Sequence, residues 1–251
     1  MLYEGQNFCP NCGSRWVDYR LTPKRITNEF SKRYLGTDNV LFVTILALLR
    51  YPEHVINGYI VGQRKRYVNP INFYFISLTL VGLQIFILKT FYPDLLGLTE
   101  AVAKSNLKDI LNILYDYIGL FTTFFIPAYA LTGLIVFLDI RKYNFSEHMI
   151  FFIYVFGLSN ILTACFTPFM IGFQIPYSAL AFVFSLFSVF QISWYYKRCF
   201  QLTLGQTILK MLFAILIIGM IQLIFTIIIV IIIVAFIYLF QPEWLSNIKI
   251  N

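Results

Sequence analysis

Gly62-Gln63-Arg64-Lys65-Arg66-Tyr67-Val68-Asn69-Pro70 is where the chain changes character. Before it the sequence is charged and carries a cysteine pair; after it the sequence is almost continuously apolar. Three consecutive cations at the centre of a spanning helix would cost about 2.5–3.5 kcal/mol each on insertion scales. In the headgroup layer each is instead worth about 1 kcal/mol against anionic lipid. Tyr67 suits the aromatic belt at that level, and Pro70 suits the first turn of a helix, where its missing N–H matters least. The stretch predicts a junction between a cytoplasmic segment and a membrane domain, with Arg64, Lys65, Arg66 and Tyr67 among the lipid headgroups.

Composition agrees. The 251 residues are 59% hydrophobic and 12% charged, and the mean hydropathy is +0.74. A soluble domain carries roughly 25% charged residues, so a soluble globule is excluded. The fold class expected is all-α: a polytopic membrane protein with about five transmembrane helices. The net charge of +7 could speak for nucleic acid, but the cations flank apolar spans, so anionic headgroups are the expected partner and nucleic acid is not. No short cationic segment with an apolar run and cleavage site precedes Val40, and a secretory signal peptide is not expected.

Three regions follow from the pattern. Residues 1–39 form a polar, basic cytoplasmic segment, with a short polar helix over 26–39. Residues 40–69 hold interfacial or re-entrant amphipathic helices: Val40 to Leu49 is too short for a span, which needs about 20 residues, and Val55 to Val61 continues it to the basic junction. Residues 70–251 form the membrane domain, with spans over 71–88, 118–138, 149–171, 177–195 and 211–240. Between the first two, Leu98 to Tyr115 is compatible with an amphipathic helix. The last run exceeds 40 Å at about 1.5 Å per residue, so it must tilt or extend past one headgroup layer. With a cytoplasmic N-terminus, fifteen Lys and Arg fall inside and four outside. The positive-inside rule then places the N-terminus in the cytoplasm and the C-terminus outside.

Phe8-Cys9-Pro10-Asn11-Cys12-Gly13 is a Cys-x-x-Cys-Gly knuckle. Its turn lets Cys9 and Cys12 converge on one zinc ion, but tetrahedral zinc wants four ligands and one chain offers two here. A pair of free cytosolic thiols and a redox pair are the other readings. Two protomers confined to one membrane plane would bring two knuckles together, so a zinc-bridged homodimer is one expectation.

The knuckle, Arg25-Ile26-Thr27 and the block from Pro52 to Pro70 resemble a bacterial family of uncharacterised multi-span membrane proteins with an N-terminal zinc-ribbon segment. Tyr59 to Pro70 looks like that family's Gly-x-Arg-x-x-Tyr-x-x-Pro pattern before the first span. The resemblance covers about the first third of the chain and implies a protein of the inner membrane without an assigned activity. Fuller members carry two Cys-x-x-Cys pairs; this chain shows one.

Polar residues within spans are where transport chemistry would lie, because each must pair or line a cavity. Asn160 and Thr167 in the third span, Ser185 and Ser188 in the fourth, and Gln222 and Thr226 in the fifth define a candidate polar path for an ion or small solute. Helix packing through small residues and interhelical hydrogen bonds is the competing explanation, and it is favoured because no ionisable residue sits mid-span. Asp139, Arg141, Glu147 and His148 cluster in sequence at one membrane edge, where acid–base chemistry is conceivable. No His-Glu-x-x-His, Gly-x-Ser-x-Gly or phosphate-cradling loop occurs, so an enzyme is not expected. The leading reading is a non-enzymatic scaffold, sensor or assembly factor with a protein partner; the alternative is a small-solute transporter or channel.

Overall fold

The computed structural model describes residues 22–24, 40–97, 113 and 115–240, with the backbone alone for 229, 230 and 232–240. The expected knuckle at Cys9 and Cys12, the helix over 26–39 and nearly all of the helix over 98–115 lie outside the described residues. The chain divides into two units, Met1–Val43 and Thr44–Asn251. Of the first, residues 22–24 and 40–43 are described, the latter opening a helix.

Among the described residues the structure is helical, without strands. Helices α1 (Val40–Arg50) and α2 (Pro52–Ile60) are bent 112° from one another at Tyr51. The bend follows from Pro52, which cannot continue α1 and starts α2 at its first position. Five long helices follow: α3 (Pro70–Phe91), α4 (Ile118–Val136), α5 (Phe145–Gly172), α6 (Tyr177–Phe200) and α7 (Leu204–Phe240). A 3-10 turn, Pro93–Leu96, follows α3 and ends at Gly97 in the left-handed region, φ 74°. The five are long and apolar enough to cross a membrane; α1 and α2 would make a sixth if counted as one broken span. This is an all-α, multi-pass membrane protein.

Helix ends differ from the hydropathy pattern where polar groups are satisfied locally. Asn69 accepts a hydrogen bond from Ile71 N at 3.0 Å and starts α3 with Pro70. α5 begins at Phe145, earlier than the apolar run, because Asn144 and Glu147 form a capping box. α6 continues past Tyr195 to Phe200 and stops at Gln201, φ 55°. α7 begins at Leu204, so the polar stretch 196–210 is mostly helix and the connection is only residues 201–203.

α3 and α5 share the most extensive packing. Without a hydrophobic driving force between helices in lipid, close backbone approach carries much of the association. Gly157 permits it here: a Cβ at that position would lie 2.8 Å from the Phe73 ring. Tyr74 Oη and Thr123 Oγ1 join α3 to α4 at 2.9 Å. α7 packs on α4 and α6 and leaves most of its surface outward, with Leu212, Leu216, Met220 and Leu223 exposed.

Candidate functional site

The basic junction is fixed to the bundle by backbone, not by its cations. α2 ends at Ile60 with Val61 as its C-cap, and Gly62 adopts φ 106°, a conformation that favours glycine. The chain then turns through Arg64, Lys65 and Arg66, all exposed. Two residues on, Val68 donates its N–H to Thr44 Oγ1 of α1 at 3.0 Å and accepts at its carbonyl from Tyr154 Oη of α5 at 2.7 Å. Asn69 Nδ2 donates to Tyr59 Oη at 3.1 Å. Arg64 lies over the Tyr59 ring and Arg66 over the Tyr67 ring, 5.6 and 5.4 Å from the centroids. Tyr67 itself is buried, 9% exposed, rather than standing free in an aromatic belt. The result is a braced loop that carries three exposed cations.

The same membrane face gathers the ends of α4 and α6, the start of α7 and the bent pair. Tyr195 Oη donates to Leu48 O at 2.8 Å, and Arg198 pairs with Glu53 at 3.0 Å. Tyr143 Oη donates to Asn57 Oδ1; burial pushes this phenol well above its ordinary value, so it stays neutral.

The residues Asp139, Arg141, Glu147 and His148 do not form a cluster. Asp139 points to Lys210 on α7, 2.7 Å away, and the hydrogen bond from that ammonium holds its carboxyl below the ordinary range. Glu147 closes the capping box with Asn144. Arg141 Nε donates to Leu138 O at 3.3 Å. His148 lies inside the protein, 1% exposed, with Nδ1 2.9 Å from Tyr196 Oη. The rings of Phe137, Tyr143, Tyr196 and Phe200 surround it. Gly133 opposes the pair: a Cβ there would sit 2.5 Å from Tyr196 Oη and 2.7 Å from His148 Nδ1. Sequence reading missed this aromatic box because its members come from two helices and a loop; the run Tyr195-Tyr196 beside the stop cations Lys197 and Arg198 was the available signal.

The six candidate path residues separate. Asn160 Nδ2 donates to Ser77 Oγ at 3.3 Å. Ser188 bonds Ser159, which donates to Gln191 Oε1 at 2.9 Å. Asn160, Ser185 and Ser188 share the wall of a cavity of about 190 Å³ with Gln84 and Thr163. Thr167 donates to Thr163 O and Thr226 to Gln222 O, each within its own helix, while Gln222 Nε2 donates to Tyr129 Oη at 3.3 Å. These last three line neither this cavity nor a larger one between α4, α5, α6 and α7. Among the described residues no three His, Cys, Asp or Glu side chains gather as a metal site.

Fold and site together define a multi-pass helical membrane protein with a braced basic junction ahead of its first long span. Residues 38–82 are similar to a family described as a protein of unknown function, DUF3667. The matched segment contains all of α1 and α2, the basic loop and the first half of α3. No curated protein and no solved structure matches the chain.

Proposed function

We propose that this protein is a non-enzymatic scaffold, sensor or assembly factor of the bacterial inner membrane, with its N-terminus in the cytoplasm and its C-terminus outside. The observation that carries the reading is the braced junction. Arg64, Lys65 and Arg66 stand on a loop whose following residues Val68 and Asn69 are hydrogen-bonded to α1, α2 and α5. Charge captured at that loop acts on the bundle through Tyr154, not on a freely moving tail. A cation in this position is worth about 1 kcal/mol against anionic headgroups, and salt weakens it.

Thr167, Gln222 and Thr226 line neither of the two cavities described, which supports helix packing over a continuous transport path. Cys9 and Cys12 are proposed to hold zinc with a second knuckle from a partner protomer; about one zinc per two chains in purified protein is the content expected of a four-ligand site.

The junction is tested on the full chain reconstituted with spin-labelled phosphatidylglycerol or phosphatidylcholine. The intact protein is expected to select phosphatidylglycerol, less so in high salt. Replacing Arg64, Lys65 and Arg66 by Gln should remove most of that preference. Equal selectivity before and after the triple replacement would sink the headgroup role.

A further inference from the structure

Helices α4, α5, α6 and α7 wall a cavity of about 400 Å³. Val136, Phe137, Phe152, Phe156, Ile192 and Ala214 give it an apolar lining. Five hydroxyl-bearing residues also reach the wall, and each hydroxyl already has a partner inside the protein. Thr132 donates to Ala128 O, Ser185 to Phe182 O and Ser188 to Phe184 O. Tyr196 is bonded to His148, and Tyr129 accepts from Gln222. A polar guest would give up its hydration for little return here, whereas hydrocarbon gives up nothing.

The cavity is not closed. Val189 on α6 and Ile215 on α7 both line it, yet they are 45% and 50% exposed. The slot between these helices therefore faces the surroundings of the bundle, which for spanning helices is lipid. Its length is also informative. From Ser185 to Tyr196 along α6 is about 16 Å, at about 1.5 Å per residue. One leaflet of the hydrocarbon core is about 15 Å deep.

The end at Phe137, Tyr196 and Met211 carries the charge. Lys210 lies over the Phe137 ring at 5.0 Å and Lys142 over the Phe200 ring at 5.7 Å, with Arg141 and Lys197 beside them in sequence. Asp139 offsets only part of this positive charge. An apolar slot one leaflet deep, capped by cations, has the form of a phospholipid.

We propose that this slot is a lipid-binding site in which one acyl chain of an anionic phospholipid lies between α6 and α7, with its phosphate at Lys210, Lys142 and Arg141. Arg and Lys are suited to that contact because charge-assisted hydrogen bonds to phosphate are the stronger kind. The site uses neither Arg64 nor its two neighbours and is independent of the junction.

The test is native mass spectrometry of the full chain released from nanodiscs of mixed phosphatidylcholine and phosphatidylglycerol. The intact protein is expected to retain one phosphatidylglycerol per chain. Ala214→Trp should lower the retained fraction about tenfold, equivalent to about 1.4 kcal/mol. Ser188→Phe plugs the slot from the opposite wall and should do the same, so the result does not hang on one variant folding. Lys142→Gln with Lys210→Gln should keep a bound phospholipid but lose the preference for phosphatidylglycerol. The proposal is overturned if the intact chain carries no lipid, including as a lipid-free dimer that covers the slot. It is equally overturned if plugged variants with native circular dichroism keep their lipid. Loss of the lipid on replacing Arg64, Lys65 and Arg66 would place it at the junction and reject this site while leaving the junction reading intact.

Discussion

Gln84 is the least comfortable residue in the bundle. It is 4% exposed on α3, and neither Oε1 nor Nε2 finds a hydrogen-bond partner among the described residues. An unpaired buried amide costs about 1–3 kcal/mol, and removing it with an apolar group of similar shape can stabilise the protein. Gln84→Leu is therefore expected to raise the midpoint of unfolding in micelles by the equivalent of about 1–2 kcal/mol. A lower midpoint would mean that the amide is satisfied by something lodged in the cavity it shares with Asn160. Asn160 itself was legible from sequence as a polar group inside a span, and the structure gives it Ser77 as a partner. Gln84 was not singled out, because one amide in an apolar run says nothing of whether its neighbours can answer it.

At the scale of elements, α4 and α7 are joined at their common end by Lys210, which reaches both Asp139 Oδ1 and Val136 O. The carboxyl of Asp139 titrates below its ordinary value because this ammonium donates to it. A depressed folded-state value stabilises the fold above the ordinary carboxylate range, and the contribution is lost as pH falls through the depressed value. The carboxylate is largely exposed, so the effect is small and screened by salt. Asp139→Asn should slightly lower the neutral plateau of an unfolding-midpoint-against-pH curve and flatten its acid limb, so that it meets the parent curve at low pH; an unchanged plateau and acid limb would leave the pair without a role in stability. Lys210 also explains why the start of α7 was misread. By hydropathy Lys197 and Arg198 end the fourth span and the fifth starts at Met211, yet long cationic side chains lie along apolar surface while their heads find carbonyls and carboxylates at the edge. The five spans were legible because about 20 apolar residues leave helix as the only way to satisfy the backbone in lipid. Their ends were not, because ends are set by caps such as Asn144 with Glu147, which hydropathy does not record. The aromatic box around His148 was illegible for a related reason: phase along a helix decides whether a histidine at its first turn faces water or the bundle.

For the molecule as a whole, five crossings by the long helices would put the two termini on opposite sides of the membrane, whereas the bent pair as a sixth crossing would return them to one side. A periplasm-active reporter fused after Asn251 is expected to give signal, and one fused after Lys142 is expected to give none. Signal at Lys142 alone is what the bent pair as a sixth span predicts for a cytoplasmic N-terminus, and equal signal from both positions would sink three crossings after Lys142. The size of α7 bears on the membrane itself. Beyond the first turns with Gln206, Thr207 and Lys210, its apolar run from Met211 to Phe240 extends about 45 Å, and at an average tilt of about 20° it covers about 42 Å of depth against a core of about 30 Å. The sequence stays apolar to Phe240, so the surplus is hydrocarbon-like surface without hydrocarbon beside it. That surplus makes the protein a gauge of bilayer thickness: thick, ordered patches accommodate α7 at least cost, and in thin ones copies lower the mismatch by gathering side by side.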